Sequence, residues 1–421
     1  MTTCWPLAKL GDHVDLLAGF AFKSRYFTGE PGDIRLLRGA NIGQGSLKWD
    51  QERRWPRSRA DGQSKFRLAV DDVVLAMDRP WINAGLKWSV VREADLPMLL
   101  VQRVARLRAS GSLSQDYLRY LIGSPQFEAY VRPIVTGVNV PHISPTQIRN
   151  FSFQLPPRDV QDSVTNLLRP VDDLIEDNRR RIEILEEMAR LLFREWFVHF
   201  RYPGHEDVEL VDSDLGPIPE GWGQTCIADE LDLQRFNVKP FEYVDEVFDH
   251  YSIPAFDDRR LPSLELGARI KSGKYLLEGE SVMVSKLNPR FRRVWRVDRS
   301  GLSRRAVAST EFMVFANPVR WTLPFVYGLV TSTGFTSRLI AMAGGTSTSH
   351  QRVKPADIMN MNVVNPPAGI VLRYSDQVQP ILKLTDNLLR QNEVLREARD
   401  LLLPRLVSGE LDVSELDLVA V

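Results

Sequence analysis

The sequence predicts an α/β (α+β) protein with a two-fold internal repeat, in which two globular domains are joined by two long antiparallel coiled-coil helices. Three observations carry that prediction. Two long amphipathic stretches share one apolar pattern, the two halves of the chain keep a common register, and a Pro-, Gly- and acid-rich segment separates them.

The first long stretch runs from Val160 to about Trp196. In a heptad frame Leu168, Ile175, Ile182, Ala189 and Trp196 take the a positions, and Val164, Val171, Asn178, Leu185 and Leu192 the d positions. All but Asn178 are apolar, which is a coiled-coil seam. An offset of 210 gives a second copy, with Ile381, Leu384, Leu395 and Leu402 on Val171, Leu174, Leu185 and Leu192, and with Leu388 on the same seam. The copy is less regular, since Thr385, Asn392 and Arg399 replace Ile175, Ile182 and Ala189. The two helices therefore predict each other as partners within the chain. Asn178 is expected to set the register of that internal pair, which leaves Ile175, Ile182 and Trp196 to face a globular domain or a partner protein.

The duplication extends well beyond the helices. At an offset of 208, Asp72 to Ala76 lies over Glu280 to Val284, Tyr117 and Leu121 over Phe325 and Leu329, Phe127 over Phe335, Gly137 over Gly345, and His142 over His350. A two-residue insertion then shifts the offset to 210, and Ile148, Pro156, Pro157 and Pro170 fall on Ile358, Pro366, Pro367 and Pro380. A single supersecondary plan repeated in this way makes the molecule pseudo-twofold.

In order along the chain, short β-rich runs come first, at Ile34 to Arg38, Val70 to Met77, Trp88 to Val91 and Leu99 to Leu107. Ser114 is placed to cap a helix that ends at Gly123, Ser124-Pro125 opens a second, and Ser144-Pro145 a third. Phe151 to Leu155 alternates as a strand up to the Pro156-Pro157 break before the long helix. The second half repeats this with strands at Val247 to Ile253, Ser281 to Ser285, Val294 to Val297 and Ala306 to Phe315, and helices at Leu323 to Thr331 and Phe335 to Met342. Tyr202 to Trp222 reads as a linker, and the residues from Gly409 onward as a short acidic and apolar tail.

Composition narrows the class. At 421 residues, 43% of them hydrophobic, the chain exceeds what one core usually holds. No run approaches a transmembrane span, and the charged N-terminus lacks a signal peptide's apolar core, so a cytoplasmic protein is expected. Cys4 and Cys226 stand far apart, which argues for free buried thiols over a disulfide or a structural zinc site. Lys plus Arg and Asp plus Glu both total 54, so net charge points to no partner and only the distribution of charge is informative.

No P-loop, GxGxxG, HExxH, GxSxG or metal-spaced Cys/His cluster occurs, and no catalytic, cofactor or metal residue is assigned. Asn365-Pro366-Pro367-Ala368 is similar to the base-holding motif of amino-methyltransferases, but Ala368 removes the stacking face. The repeat also puts Leu155-Pro156-Pro157-Arg158 at the matching site, where the prolines break a strand before a helix. Arginine interleaved with aromatics recurs in both halves, at Arg53, Arg54, Trp55 and Arg57 and at Arg290, Phe291, Arg292, Arg293, Trp295 and Arg296. Such segments clamp phosphates or read guanine edges, and also form ordinary solvated strand faces. The Gly-rich loops at Thr136 to Asn139 and Gly344 to His350 suit close approach to phosphate as well as simple turns. The candidate DNA contacts are thus Lys23, Arg53, Arg54, Arg57, Asn139, His142, Arg290, Arg292, Arg293, Ser347, Thr348 and His350.

Several short motifs, in their order and spacing, carry a family resemblance. They are Gly19-Phe20-Ala21-Phe22-Lys23-Ser24, the Pro-Pro-plus-helix block in both halves, Leu215-Gly216-Pro217-Ile218-Pro219-Glu220-Gly221-Trp222, and the ending Leu402-Leu403-Pro404-Arg405-Leu406-Val407-Ser408-Gly409-Glu410-Leu411-Asp412. On these the chain resembles the specificity (S) subunits of type I restriction-modification systems. The resemblance implies a non-catalytic DNA-recognition subunit whose two target-recognition domains (1–155 and 218–365) each read half of a bipartite, asymmetric double-stranded target. It further implies conserved long helices at 156–200 and 366–408, a linker at 201–217 and a tail at 409–421. Two methyltransferase (M) subunits would dock through the helices, with restriction (R) subunits as further partners. S-adenosylmethionine and ATP would then sit on those partner subunits, and no cofactor on this chain. A helix of about 35 to 40 residues spans about 55 to 60 Å, which on this resemblance spaces the half-sites, and one inserted heptad would move them by about 3 base pairs. The rival readings are a self-contained adenine methyltransferase using Asn365-Pro366-Pro367 and a coiled-coil scaffold that binds protein.

Overall fold

Alternation of apolar side chains along the central strands decides how each half packs. The computed structural model describes residues 5–49, 52–82, 85–135, 141–298, 303–344 and 351–411. The chain divides into two compact units, Met1–Leu174 with Leu395–Val421, and Ile175–Val394.

In the first unit a four-stranded antiparallel sheet places Val14–Ala18, Val104–Ala109, Val73–Ala76 and Trp88–Val90 side by side in that order. Successive side chains of a strand point to opposite faces, so Val73 and Leu75 enter one core and Val74 and Ala76 another. The first core is closed by the helix Gln115–Ile122, through Tyr117, Leu118 and Leu121. The second is closed by a three-stranded sheet in which Ile34–Leu37 pairs antiparallel with Arg54–Trp55 and parallel with Met98–Leu100. Burial on both faces explains why this strand reads as a continuous apolar run.

The second unit repeats the arrangement. Asp232–Gln234, Phe312–Ala316, Ser281–Ser285 and Val294–Val297 form the matching four-stranded sheet. Val282 and Val284 face one core while Met283 faces the other. Beside it lies a five-stranded sheet in which Val247–Tyr251 runs parallel to Ala306–Ala308, the counterpart of the parallel pair in the first unit.

Two runs expected as single strands are each broken in two. Leu99 to Leu107 becomes Met98–Leu100 and Val104–Ala109, and Ala306 to Phe315 becomes Ala306–Ala308 and Phe312–Ala316. The pieces belong to different sheets. Between the first pair Arg103 adopts a left-handed backbone (φ 68°), which turns the chain from one layer to the next.

The helix starts follow their caps. Ser114 Oγ accepts from the Tyr117 N–H, Thr322 Oγ1 from Phe325 N–H and Ser332 Oγ from Phe335 N–H, and Ser144 with Gln147 forms a capping box ahead of Pro145. The two long helices are Arg158–Phe197 and Ala368–Val407, related by the same offset of 210 seen in the sequence. Each contributes residues to both units.

In the second unit the two helices run antiparallel. Asn178 Nδ2 donates to Asn392 Oδ1 and Gln391 Oε1, both at 3.1 Å, and Asn392 Nδ2 returns a bond to the Ile175 carbonyl at 3.2 Å. Further along, Ala189, Phe193, Trp196 and Phe197 pack with Val371, Tyr374, Val378 and Leu382. Of the seam residues in this unit, Asn178, Ile182 and Leu388 are buried, while Ile175, Leu185, Leu192 and Ile381 are half-buried. Trp196 lies against Tyr374 in the unit's own core, with ring centroids 5.9 Å apart. In the first unit Leu168 is buried, Val171, Leu395 and Leu402 are half-buried, and Val164 and Leu168 share a core with Leu403, Leu406 and Val407.

The segment expected as a linker is anchored at both ends. Tyr202 and Trp222 are buried and stacked, with centroids 5.2 Å apart, and Leu210–Val211 pairs with Ile218–Pro219. Cys226, expected buried, is half-buried with its thiol 3.0 Å from Asn362 Oδ1. Cys4 lies outside the described residues.

Candidate nucleic-acid interface

The arginine-aromatic segment of the first unit is sorted by strand alternation. Trp55 turns inward against Phe22 and Tyr26, with centroids 4.8 and 6.0 Å away. Arg54 is held internally: its guanidinium meets Glu52 at 2.6 Å and donates to the carbonyls of Pro31 and Asp33 at 2.6 and 2.7 Å. Arg53 is exposed, apart from one bond to the neighbouring Glu52 carbonyl at 3.0 Å. Arg57 is also exposed, its Nε donating to the Gly32 carbonyl at 2.6 Å, and Lys23 is exposed at the start of the turn Ser24–Tyr26. Arg38, unremarked in the sequence, sits half-buried within Coulombic reach of Arg53. Burial first, and then that second cation, lowers its pKa. Arg38 and Arg53, like charges at neighbouring strand ends, make a positive surface suited to a polyanion.

The same sorting occurs in the second unit. Trp295 is buried against Tyr251, Phe256 and Phe312. Arg293 is committed to Asp257 through two bonds of 2.6 and 2.8 Å, with only 12% of its side chain exposed. Arg296 is paired with Asp386 and with the Leu382 carbonyl. Arg290 and Arg292 are exposed, Arg290 lying 4.9 Å over the ring of an exposed Phe291. Partial burial, and then Arg190, lower the Arg292 pKa.

His142 is tied by Nδ1 to Asp78 Oδ1 at 2.5 Å, and Asp78 Oδ2 takes Arg103 at 2.6 Å. The matching place in the second unit is filled by Arg352, paired with Glu311 at 3.0 and 3.1 Å. The bridge Asp78 to His142 is repeated by Leu287 to Arg352. The two-residue insertion therefore precedes His142, whose counterpart is Arg352, not His350. Asn139, Ser347, Thr348 and His350 lie outside the described residues, so the structure brings together only part of the candidate set. Among the described residues no group of His, Cys, Asp and Glu is arranged to hold a metal ion.

No family model matches the chain. It is 35% identical over 173 residues to the type I restriction enzyme EcoAI specificity subunit of Escherichia coli, an alignment covering 41% of this chain and 28% of that subunit. To the MjaIX specificity subunit of Methanocaldococcus jannaschii it is 25% identical over 344 residues, covering 77% of this chain and 75% of the relative. The HindI specificity subunit of Haemophilus influenzae matches at 21% identity over 83% of this chain and 88% of its own. The relatives it is similar to are type I restriction enzyme specificity subunits. Its fold agrees with the crystal structure of a type I restriction-modification S subunit from M. genitalium, with a TM-score of 0.54, 12% identity and 96% of both chains covered. The match to the EcoAI subunit spans little more than a quarter of that protein, whereas those to the MjaIX and HindI subunits span most of theirs.

The Asn365 tetrad has a structural role. Asn365 Oδ1 accepts from Trp321 Nε1 at 3.0 Å and its Nδ2 donates to Glu230 Oε1 at 3.3 Å. Glu230 is wholly buried and also holds Arg320. Each end of the amide is engaged by a partner within the fold. The carbonyl of Pro367 accepts the N–H groups of Ile370 and Val371 and so starts the long helix.

Proposed function

We propose that this chain is the non-catalytic sequence-specificity subunit of a type I restriction-modification complex, reading a bipartite asymmetric DNA target and docking methyltransferase subunits through its long helices. The observation that carries the reading is the repetition of one architecture. Each unit pairs a four-stranded sheet with a second sheet, presents exposed arginines beside a buried tryptophan, and receives one end of both long helices. Two copies of one binding module suit two half-sites, and the pseudo-twofold plan suits one methyltransferase subunit per half. On this reading the recognition domains are 1–155 and 218–365, the protein works in the cytoplasm, and S-adenosylmethionine and ATP bind to partner subunits. The outward cations Lys23, Arg53, Arg57, Arg290 and Arg292 are the proposed contacts. No described helix is long and apolar enough to cross a membrane.

The test is to map methylated bases in a host that expresses the chain with its cognate methyltransferase. A gapped motif that disappears when this chain is deleted is expected. Methyl transfer by the chain alone, or a motif that survives its deletion, would reject the proposal.

A further inference from the structure

A second cluster of positive charge lies in the first unit, outside the arginine-aromatic segment. Trp81–Ile82 and Gly85–Leu86 form a small hairpin, with Trp81 opposite Leu86. The next pair outward is Pro80 and Lys87, joined by the Lys87 N–H to Pro80 carbonyl bond of 2.7 Å. This sets Lys87 diagonally across from Arg79.

Lys87 is only 9% exposed, yet no hydrogen bond or ion pair holds its ammonium among the described residues. The charge that acts on it is the guanidinium of Arg79, a like charge; burial and that repulsion both depress its pKa. Arg79 is exposed and is likewise without an acidic partner among the described residues. The acid next to it in sequence is already used, since both oxygens of Asp78 are taken by His142 and Arg103. The stem of Lys87 is buried while its ammonium reaches the surface with no counter-ion among the described residues, so the pair is suited to an anion supplied from outside.

The backbone gives an independent sign. Arg79 sits in the left-handed region (φ 44°), and its N–H donates to the Pro141 carbonyl at 2.8 Å. The second unit has the same turn at Asn288 (φ 49°), whose N–H donates to the Gln351 carbonyl, also at 2.8 Å. Asparagine is among the residues that tolerate this conformation best, and arginine is not. The first unit therefore keeps a long cationic side chain where its own repeat shows that a better-suited residue fits, which points to a use for the charge.

We infer that Arg79 and Lys87 form a phosphate-binding subsite of the first unit that holds one backbone phosphate of bound double-stranded DNA. This rests on the DNA-reading function proposed above. A phosphate contact positions the duplex without reading its sequence, so the subsite contributes to affinity and register at any sequence.

The experiment uses the full chain and a duplex of mixed sequence, with Kd measured across a salt series. Arg79→Asn adopts the residue of the second unit and Lys87→Met keeps the apolar stem, so both variants are expected to melt at or above the wild-type temperature. The double variant should bind more weakly, with the slope of log K against log salt reduced by about 0.9. Its disadvantage should then shrink about 3.5-fold between about 50 and 200 mM salt. Arg79→Lys, which retains the charge, should restore most of the affinity, and this readout stands even if Lys87→Met fails to fold. A salt-dependent wild type whose variants match it in Kd and slope would overturn the subsite while leaving the DNA-reading function intact. A wild type that binds with no salt dependence would overturn both. Inorganic phosphate at matched ionic strength forms a separate arm: stabilisation that depends on Lys87, with unchanged DNA binding in the variants, would assign a free-anion site and refute the DNA contact.

Discussion

Replacing Asp172 by Asn should uncouple three helices of the first unit at one point. Asp172 Oδ2 accepts from Arg119 Nη2 at 2.8 Å and from the Tyr120 hydroxyl at 2.9 Å, and Oδ1 accepts from Arg399 Nη1 at 2.9 Å. Arg119 comes from the short cap helix, Asp172 from the first long helix and Arg399 from the second. Side-chain exposure is 8% for Arg119, 12% for Asp172 and 28% for Arg399, so water screens the cluster weakly. Asp172→Asn preserves the shape, leaves the buried Arg119 guanidinium without its anion, and leaves Arg399 with Asp400 alone. Removing one partner of a buried pair costs about 3–5 kcal/mol, and the amide oxygen still accepts, so about 3 kcal/mol is expected. At about 2–4 °C per kcal/mol for a unit of this size, the first unfolding transition should fall by about 6–12 °C. Burial raises the Asp172 pKa, but Arg119 and Arg399 outweigh that and hold it below 3.8. Because the folded-state pKa is depressed, the stabilisation is fully present above the unfolded value and is lost as pH falls through the folded one. The gap between wild type and variant should hold from neutral pH down to about 5 and close below 3.8. Calorimetry of both proteins across that range is the assay. A loss of less than about 1 kcal/mol, or a gap that does not narrow in acid, would refute the assignment of a net-stabilising buried ion cluster.

Further outcomes follow from other residues of the same structure. Asn178→Leu should destabilise the second unit by about 1–3 kcal/mol in denaturant titration, because Asn392 is left buried with an unmet acceptor; Asn178→Leu with Asn392→Leu should recover part of that loss. Gly328→Ala would put a Cβ 2.4 Å from Phe193 Cδ2 and 2.7 Å from the Tyr374 hydroxyl, and should lower stability by about 1–3 kcal/mol, read as a lower melting temperature. Arg293→Ala should cost about 1–3 kcal/mol by removing the double bond to Asp257, whereas Arg292→Ala should stay within about 0.5 kcal/mol and show its effect in DNA affinity. Asn365→Ala should cost about 1–3 kcal/mol yet leave methylation by the assembled complex intact below its melting point, the opposite of what a base-holding asparagine would show.

Much of the fold was legible because its signals are local. The offset of 210 between the long helices, the caps at Ser114 and Ser144, and the strands Ser281–Ser285 and Val294–Val297 all follow from short-range periodicity or from a side chain three residues from its backbone partner. Less of the candidate site could be read in this way. Arg79-Pro80-Trp81 has the arginine-beside-aromatic texture found at Arg53 to Arg57, and that was the available signal for Arg79. Lys87 carries none, since its burial depends on a hairpin.

The sequence by itself determined that one architecture occurs twice, where the long helices lie, and that arginine and aromatic residues recur together in both halves. Only the tertiary structure decided which of those arginines are available. Arg293 finds Asp257, Arg296 finds Asp386 and Arg54 finds the carbonyls of Pro31 and Asp33, whereas Arg53 and Arg292 are left facing water. It also divided two apolar runs between two sheets and moved the counterpart of His142 from His350 to Arg352. The physical reason is range: helix and strand patterns are set by neighbours a few residues apart, while a charge is neutralised by whichever distant carboxylate the fold brings within about 3 Å.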